Sequence, residues 1–424
     1  MNVAKAVLHN KQIYVYADWQ ELGTPRFMGT LTVESGRGRE TFSFSYDQDW
    51  MVSASALLLD PDLMYFTGPQ YPVNEKTNFG LFTDSSPDRW GRVLMQRREA
   101  LKARQEERRA RALMESDYLM GVHDLHRMGA LRFKLAPDGP FLDNNHEMAA
   151  PPITFLRTLE EASLQLERDD AADAPEFSQW LNLIMSPGSS LGGTRPKASI
   201  IDTAGQLWIA KFPSRNDDHD IGGWEHVVNT LGAQAGLNIA ESAAHRYTHR
   251  HHTFLSRRFD RVGPVRTHFA SAMTLLGQTD GAGAQANVSY LDLAEFIVQH
   301  GAAPNDDLEE LWRRIVFYTS VSNSDDHLRN HGFLLTPRGW RLSPAYDVNP
   351  VSNATGLSLN ISRYNNELDI ELVREVAERF RVSPDRREEI ITQVSDAVGH
   401  WAEVAADVGI PRRDMELMRS CFLL

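Results

Sequence analysis

The chain has 424 residues, 42% of them hydrophobic, a net charge of −13 and a single cysteine, Cys421. That length exceeds one typical core and predicts two domains, while one thiol excludes an internal disulfide framework and a cysteine-based zinc site. The acidic total opposes nonspecific nucleic-acid binding by the whole molecule, and no apolar run reaches the roughly 20 residues that cross a bilayer, so a cytoplasmic location with no membrane contact is expected.

Residues 12–16, 27–33 and 41–46 have the short alternation and β-rich composition of strands, which predicts a small β-rich amino-terminal unit. Downstream, Ser86 is placed to cap a helix and Pro87 to fill its first position, where a missing N–H costs nothing. The helical stretch that follows carries Arg92, Arg97, Arg98, Lys102, Arg104, Arg108 and Arg109. It reads either as a solvated face laced with Glu99, Glu106 and Glu107, or as a contact patch for a partner or for DNA that a partner holds. Turn formers crowd residues 136–152, and the boundary between domains 1–145 and 146–424 is placed there.

Two short helices are expected at 154–167 and 175–185, followed by a run of small residues from Ser186 to Lys197. Such a turn lets backbone approach a phosphate, with Arg195 and Lys197 adding positive charge, although taken alone it reads more readily as a plain hairpin loop. Residues 206–212 read as a strand that carries Lys211 in an apolar setting, which calls for an anionic partner. Glu225, near the start of a helix over 222–236, is either that partner or a surface carboxylate. Strands at 244–248 and 253–259 flank a histidine-rich turn with His245, His249, His251 and His252, for which solvation is expected over metal ligation. The stretch through Phe259 to Arg261 closes a small lobe spanning 146–262 and offers a nucleotide hinge. The remaining lobe, 263–424, is mainly helical, with helices expected at 308–321, 367–380 and 384–404.

Asp325 and Asn330 stand five apart, the spacing of a kinase catalytic loop in which Asp takes the substrate hydroxyl proton and Asn holds Mg²⁺. Asp347 follows as a second metal contact, and Asp326 reads as a turn cap. Any one of these residues could be structural. The order glycine-rich turn, strand lysine, helix glutamate, Asp, Asn and Asp is that of a bilobal kinase.

On these residues, together with Asp84 to Arg92, Gly192 to Lys197, Arg258 to Arg261, Ser324 to Asn330 and Tyr346-Asp347, the chain resembles the HipA family of bacterial serine/threonine kinases, toxins of type II toxin–antitoxin pairs. The resemblance runs over nearly the whole chain and implies an α+β, bilobal protein-kinase-like fold that uses ATP and Mg²⁺ to phosphorylate a protein serine or threonine. It implies Asp325 as base, Asn330 and Asp347 as metal ligands and Lys211 as the phosphate-binding lysine. His327 braces the loop, Arg329 helps neutralise phosphate, and Gly192, Gly193, Arg195, Lys197, Glu225 and Phe259 surround the nucleotide. Ser190, with Ser189 beside it, matches the position of an inactivating autophosphorylation, physically reasonable because a phosphate adds about −1.5 to −2 charges to a loop that must hold ATP. The resemblance also implies a HipB-like helix-turn-helix antitoxin that carries most DNA contact, and targets such as an aminoacyl-tRNA synthetase.

Departures from common protein kinases are plain: no Gly-x-Gly-x-x-Gly loop, Val348-Asn349 after Asp347, and no Ala-Pro-Glu segment, so control through a phosphorylated activation loop is not expected. Two other readings stay open, a kinase-fold corepressor acting with a DNA-binding antitoxin and a small-molecule kinase. A pure scaffold has no need of Lys211, Asp325, Asn330 and Asp347 together.

Overall fold

A computed structural model describes residues 9–36, 38–53, 57–74, 76–145, 150–185, 195–247 and 251–423. Ser189, Ser190, Gly192, Gly193 and His249 lie outside the described residues. The amino-terminal unit is an antiparallel sheet of β1 (His9–Ala17), β2 (Arg26–Gly36), β3 (Arg39–Tyr46) and β4 (Leu131–Lys134) in the order β3-β2-β1-β4. Register places Ile13 beside Leu31 and Leu31 beside Phe44, so the alternating apolar set of each strand falls on one buried face.

Helices α1 (Gln48–Ser53), α2 (Gly80–Thr83), α3 (Arg89–Gln105) and α4 (Glu115–Met120) lie between β3 and β4. The cap of α3 is Asp88, whose carboxylate accepts from Gly91 N at 2.7 Å, and not Ser86. Ser86 instead donates its hydroxyl to the Phe82 carbonyl at 2.9 Å, closing the turn after α2, so the helix begins two residues later than expected. The basic stretch is largely neutralised from within. Arg92 grips Glu115 at 2.6 and 2.7 Å, Arg108 meets Glu99 at 2.6 Å, Arg111 meets Asp117 at 2.7 Å, and Arg97 donates to the Leu166 carbonyl.

The small lobe is a second antiparallel sheet, β5 (Lys197–Ile201), β6 (Leu207–Lys211), β7 (Ser242–His245) and β8 (Thr253–Arg257), ordered β5-β6-β8-β7. Packed around it are α5 (Leu156–Leu166), α6 (Phe177–Met185) and α7 (Ile221–Gln234). Its core reaches across residue 145: Trp90, Leu94 and Tyr118 pack with Leu159, Leu181, Ile184 and Ala198. The loop at 136–152 therefore separates the two sheets, while α3 and α4 belong to the small-lobe core.

Short strands β9 (Arg261–Val262) and β10 (Val265–Arg266) lead into the helical lobe, where β11 (Phe269–Ser271), β12 (Gly332–Thr336) and β13 (Gly339–Leu342) form a three-stranded sheet. Its helices are α8 (Ala272–Leu275), α9 (Tyr290–His300), α10 (Pro304–Ser320), α11 (Ile370–Val376), α12 (Pro384–Gly399), α13 (Trp401–Val408) and α14 (Arg412–Met418). α10 starts at Pro304, ahead of the expected Leu308, because proline suits the first turn. Its Leu308, Leu311, Trp312 and Ile315 are fully buried. The single helix expected over 384–404 breaks after Gly399, with His400 closing α12 and opening α13.

A buried ion cluster ties the lobes to the amino-terminal unit. Asp260 accepts from Arg258 at 2.6 Å, Arg261 at 2.9 Å and Gly129 N at 2.8 Å, while Arg258 and Arg261 donate to carbonyls of His126, Arg127 and Gly129. Burial raises the Asp260 carboxyl, but the two guanidiniums outweigh it and hold the group below the usual carboxylate range. The histidine-rich turn is solvated only in part: His245 is exposed, but His251 and His252 are buried, and His252 Nδ1 pairs at 2.5 Å with Asp220, the residue that caps α7. Asp260→Ala leaves two guanidiniums buried without their carboxylate and should cost about 3–5 kcal/mol in urea unfolding; a loss below about 1 kcal/mol, the range of exposed pairs, contradicts this role.

Candidate active site

Strand β6 ends at Lys211, whose ammonium donates to Glu225 Oε1 at 2.6 Å and Asp347 Oδ1 at 2.5 Å. Glu225 reaches it because Asp220 caps α7 and because Trp224, Val227, Val228 and Leu231 bury the face beside it. One ammonium thus joins a small-lobe strand, a small-lobe helix and a large-lobe loop. Burial opposes the charge on Lys211, yet Asp347 and Glu225 outweigh it and hold the amine protonated. The two carboxylates divide the benefit unequally. Asp347, with Lys197 as a second cation, is lowered to about 2 despite burial, whereas burial outweighs Lys211 at Glu225 and pushes it up to about 7.

Asp347 has φ +56°, a left-handed conformation that a non-glycine residue adopts at a cost. Its neighbours enforce it: Ala345 exchanges backbone hydrogen bonds with Asn238 and Ala240 at 2.7 and 2.9 Å, and Tyr346 donates its hydroxyl to the Arg329 carbonyl at 2.7 Å. The catalytic-loop segment leaves α10 directly. Asn330 Nδ2 donates to the Asp325 carbonyl at 2.7 Å, fixing the five-residue turn, and its Oδ1 is buried with no partner among the described residues. A buried amide oxygen without a partner and a carboxylate held ionised are the kinds of donor a hard divalent cation takes, so by their chemistry Asn330 and Asp347 fit Mg²⁺. The Asp325 carboxylate is largely exposed. Burial and Asp347 raise it, against the pull of His327 and Lys211.

Asp325, Asp347, Lys211, Lys197 and Arg195 line one cavity of about 320 Å³. On the other side of the Lys211–Asp347 pair lies a small, mostly apolar slot of about 30 Å³ between Ile209, Ser256, Phe259 and Tyr346, with the Phe259 ring 5.5 Å from that of Tyr346. A polar chamber and an apolar slot sharing one lysine divide as the phosphates and base of a nucleotide do, although the slot at about 30 Å³ has room for about one water and must open to admit a base.

Other expected residues sit differently. Lys197 lines the cavity but donates to Asp88 at 2.9 Å, both side chains being buried, and Arg195 forks onto Asp217 at 2.7 Å through both nitrogens. Arg329 is not among the residues lining the cavity, and a carboxylate oxygen of Asp280 lies 3.7 Å from its guanidinium. His327 Nε2 stands 3.8 Å from Asp325 Oδ1, and its Nδ1 meets no partner among the described residues. The bracing expected of it falls to Asp326, which is no turn cap. Fully buried, Asp326 accepts from Ser358 N at 2.6 Å and from the Tyr290 hydroxyl, and its carbonyl lies 3.1 Å from His331 Nε2. Burial pushes its carboxyl up to about 7. The adjacent aspartates were the visible signal, but Tyr290 and Ser358 lie 36 and 32 residues away, beyond any local pattern.

Residues 189–402, just over half of the chain, match a family model described as the HipA-like C-terminal domain. A Haemophilus influenzae protein named "Putative kinase" is 29% identical over 184 residues, 39% of this chain and 53% of that protein, so the chain spans about half the length of the curated relative it matches. HipA of Shewanella oneidensis MR-1, solved with HipB and its operator DNA, superposes with a TM-score of 0.64 at 16% identity, covering 96% of this chain and 94% of that one. That likeness shows the fold to be the α+β, bilobal one expected.

Lys211→Met leaves Glu225 and Asp347 facing each other without a cation, and at pH 7.5 should cost about 3–5 kcal/mol. Both folded carboxyls then titrate above their unfolded values. The folded state binds the extra protons, and stability falls as pH rises between the two. The deficit relative to wild type in urea unfolding should therefore shrink at pH 5; an unchanged or larger deficit there contradicts the shared-ammonium account.

Proposed function

The chain belongs to the HipA family, and on that footing we propose that it is an ATP- and Mg²⁺-dependent protein kinase that transfers the γ-phosphoryl group to a serine or threonine. The carrying observation is the Lys211 bridge from Glu225 to Asp347, with Asp325 opening into the same cavity. The adenine lies in the slot beside Phe259, and the α- and β-phosphates lie against Lys211. Asn330 and Asp347 hold Mg²⁺, which when bound neutralises phosphate charge. Asp325 faces the substrate hydroxyl and takes its proton as the hydroxyl oxygen bonds to the γ-phosphorus and the bond to ADP breaks. Its raised carboxyl suits that proton transfer. Lys197, held by Asp88, contributes field at the cavity floor more than a mobile phosphate grip.

Ser190, or Ser189 beside it, is the proposed site of self-limiting phosphorylation, and a HipB-like antitoxin acting in the cytoplasm is the proposed partner. Support for that partner is the fold shared with the Shewanella HipA, which was solved with HipB and DNA. The acidic total and the internally paired arginines of residues 92–111 favour DNA contact through the partner. An aminoacyl-tRNA synthetase is the proposed class of target, on the family resemblance alone. Intact-protein mass after incubation with Mg-ATP tests the reading. Wild type gains phosphate that maps to Ser190 or Ser189, and Asp325→Asn, which keeps the fold, gains none; phosphate acquired equally by Asp325→Asn removes Asp325 as the base.

A further inference from the structure

The segment after α14 crosses behind the catalytic loop and touches both the turn that leads to Asp325 and the helix that carries Glu225. Leu423 N donates to the Ser320 carbonyl at 2.8 Å, satisfying a carbonyl that the end of α10 leaves open. One turn on, Ser322 donates its hydroxyl to the Cys421 carbonyl at 2.8 Å. Ser322 is itself left-handed, with φ +54°, three residues before Asp325. Its own carbonyl accepts from Val351 N at 3.0 Å, and Asn323 Oδ1 accepts from Asn349 N at 3.1 Å, so the same turn fixes the segment after Asp347. Between Cys421 and Leu423, the Phe422 ring lies parallel to Trp401 at 4.7 Å and stands 5.8 Å from Trp224. Trp224 immediately precedes Glu225 and is buried. Met418, at the end of α14, is buried and forms part of the cavity wall beside Val351 and Ser352.

We propose that residues 418–423 are a positioning strap that sets the distance between the Glu225 helix and the Asp325 loop. Phe422 fixes the helix through Trp224 and Trp401, and the Cys421 carbonyl fixes the loop through Ser322. None of these groups touches a reacting atom, and Phe422 and Cys421 do not line the base slot. Loss of the strap therefore misaligns the hydroxyl, base and phosphate while leaving the slot between Ile209, Phe259 and Tyr346 intact, an effect on turnover more than on nucleotide affinity.

The inference rests on the kinase reading, and its test separates the two. Phosphotransfer is measured on full-length wild type, Phe422→Ala and Phe422→Tyr, each normalised to the folded fraction from urea unfolding. Phe422→Ala should lower kcat about ten- to a hundred-fold while KM for ATP stays within about threefold, and Phe422→Tyr, which keeps a stacking ring, should restore turnover. Wild-type kcat per folded molecule in Phe422→Ala, or no rescue by tyrosine, overturns the strap. If wild type transfers no phosphate, the kinase reading fails by itself. The strap is then read by hydrogen exchange, with Phe422→Ala speeding exchange in residues 221–226 and 320–330 and Phe422→Tyr not; unchanged exchange there overturns it.

Discussion

A single ammonium group holds this molecule's two lobes in register. Lys211 comes from a strand of the small lobe, Glu225 from the helix beside it and Asp347 from a loop of the helical lobe, and all three meet within hydrogen-bond distance. Desolvating one cation and two carboxylates is unfavourable unless each finds its partner. The surrounding structure is arranged to that end: Asp220 and His252 fix the start of α7, Tyr346 ties the Asp347 turn to the catalytic loop, and Lys197 adds a second positive charge near Asp347. Lys211 and Lys197 hold Asp347 ionised against burial, whereas at Glu225 burial outweighs Lys211 and pushes the carboxyl up to about 7.

How far the sequence revealed this depends on the range of the interaction involved. The strands of the first sheet followed from alternation in 12–16, 27–33 and 41–46, and the helices at 156–166, 177–185 and 221–234 from periodicity, because both patterns are local. The site is legible through order and spacing, which single out Lys211, Glu225, Asp325, Asn330 and Asp347; hydrogen bonds join Lys211 to Glu225 and Asp347 and Asn330 to the Asp325 backbone, and Lys211, Asp325 and Asp347 line one cavity. What stayed hidden was which polar residue pairs with which. Asp88 instead of Ser86 caps α3 because both are good caps and only the fold commits Ser86 to the turn behind it. Lys197 belongs to Asp88, 109 residues away, and the brace of the catalytic loop is Asp326 with Tyr290 and not His327. The histidine turn looked solvated because nothing nearby in the chain announces Asp220, 32 residues upstream of His252.

Buried ion pairs also explain why the amino-terminal unit is not a loose appendage. Arg258, Asp260 and Arg261 bind backbone of residues 126–129, and Arg132 and Arg266 share Asp124, so the first sheet is joined to both lobes by charges that solvent does not screen. Trp90 and Leu94, which precede the expected boundary, pack in the small-lobe core, and Asp88 reaches the floor of the cavity through Lys197. The amino-terminal unit is thereby linked to a residue that lines the cavity. The motif from Asp84 to Arg92 is best understood as that connection: Asp84 holds the Ser271 backbone and hydroxyl at 2.7 and 2.8 Å, and Asp88 holds Lys197.

On the proposed function, the Lys211 bridge and the orphaned Asn330 oxygen belong to one site for ATP with Mg²⁺. Isothermal titration of the full chain with ATP, in excess Mg²⁺ and again in EDTA, tests it most directly. Saturable one-site binding is expected, weakening by about ten-fold or more when the metal is withdrawn, since Asn330 and Asp347 then face the phosphates without a cation between them. Equal affinity in EDTA, or no binding under either condition, would contradict it.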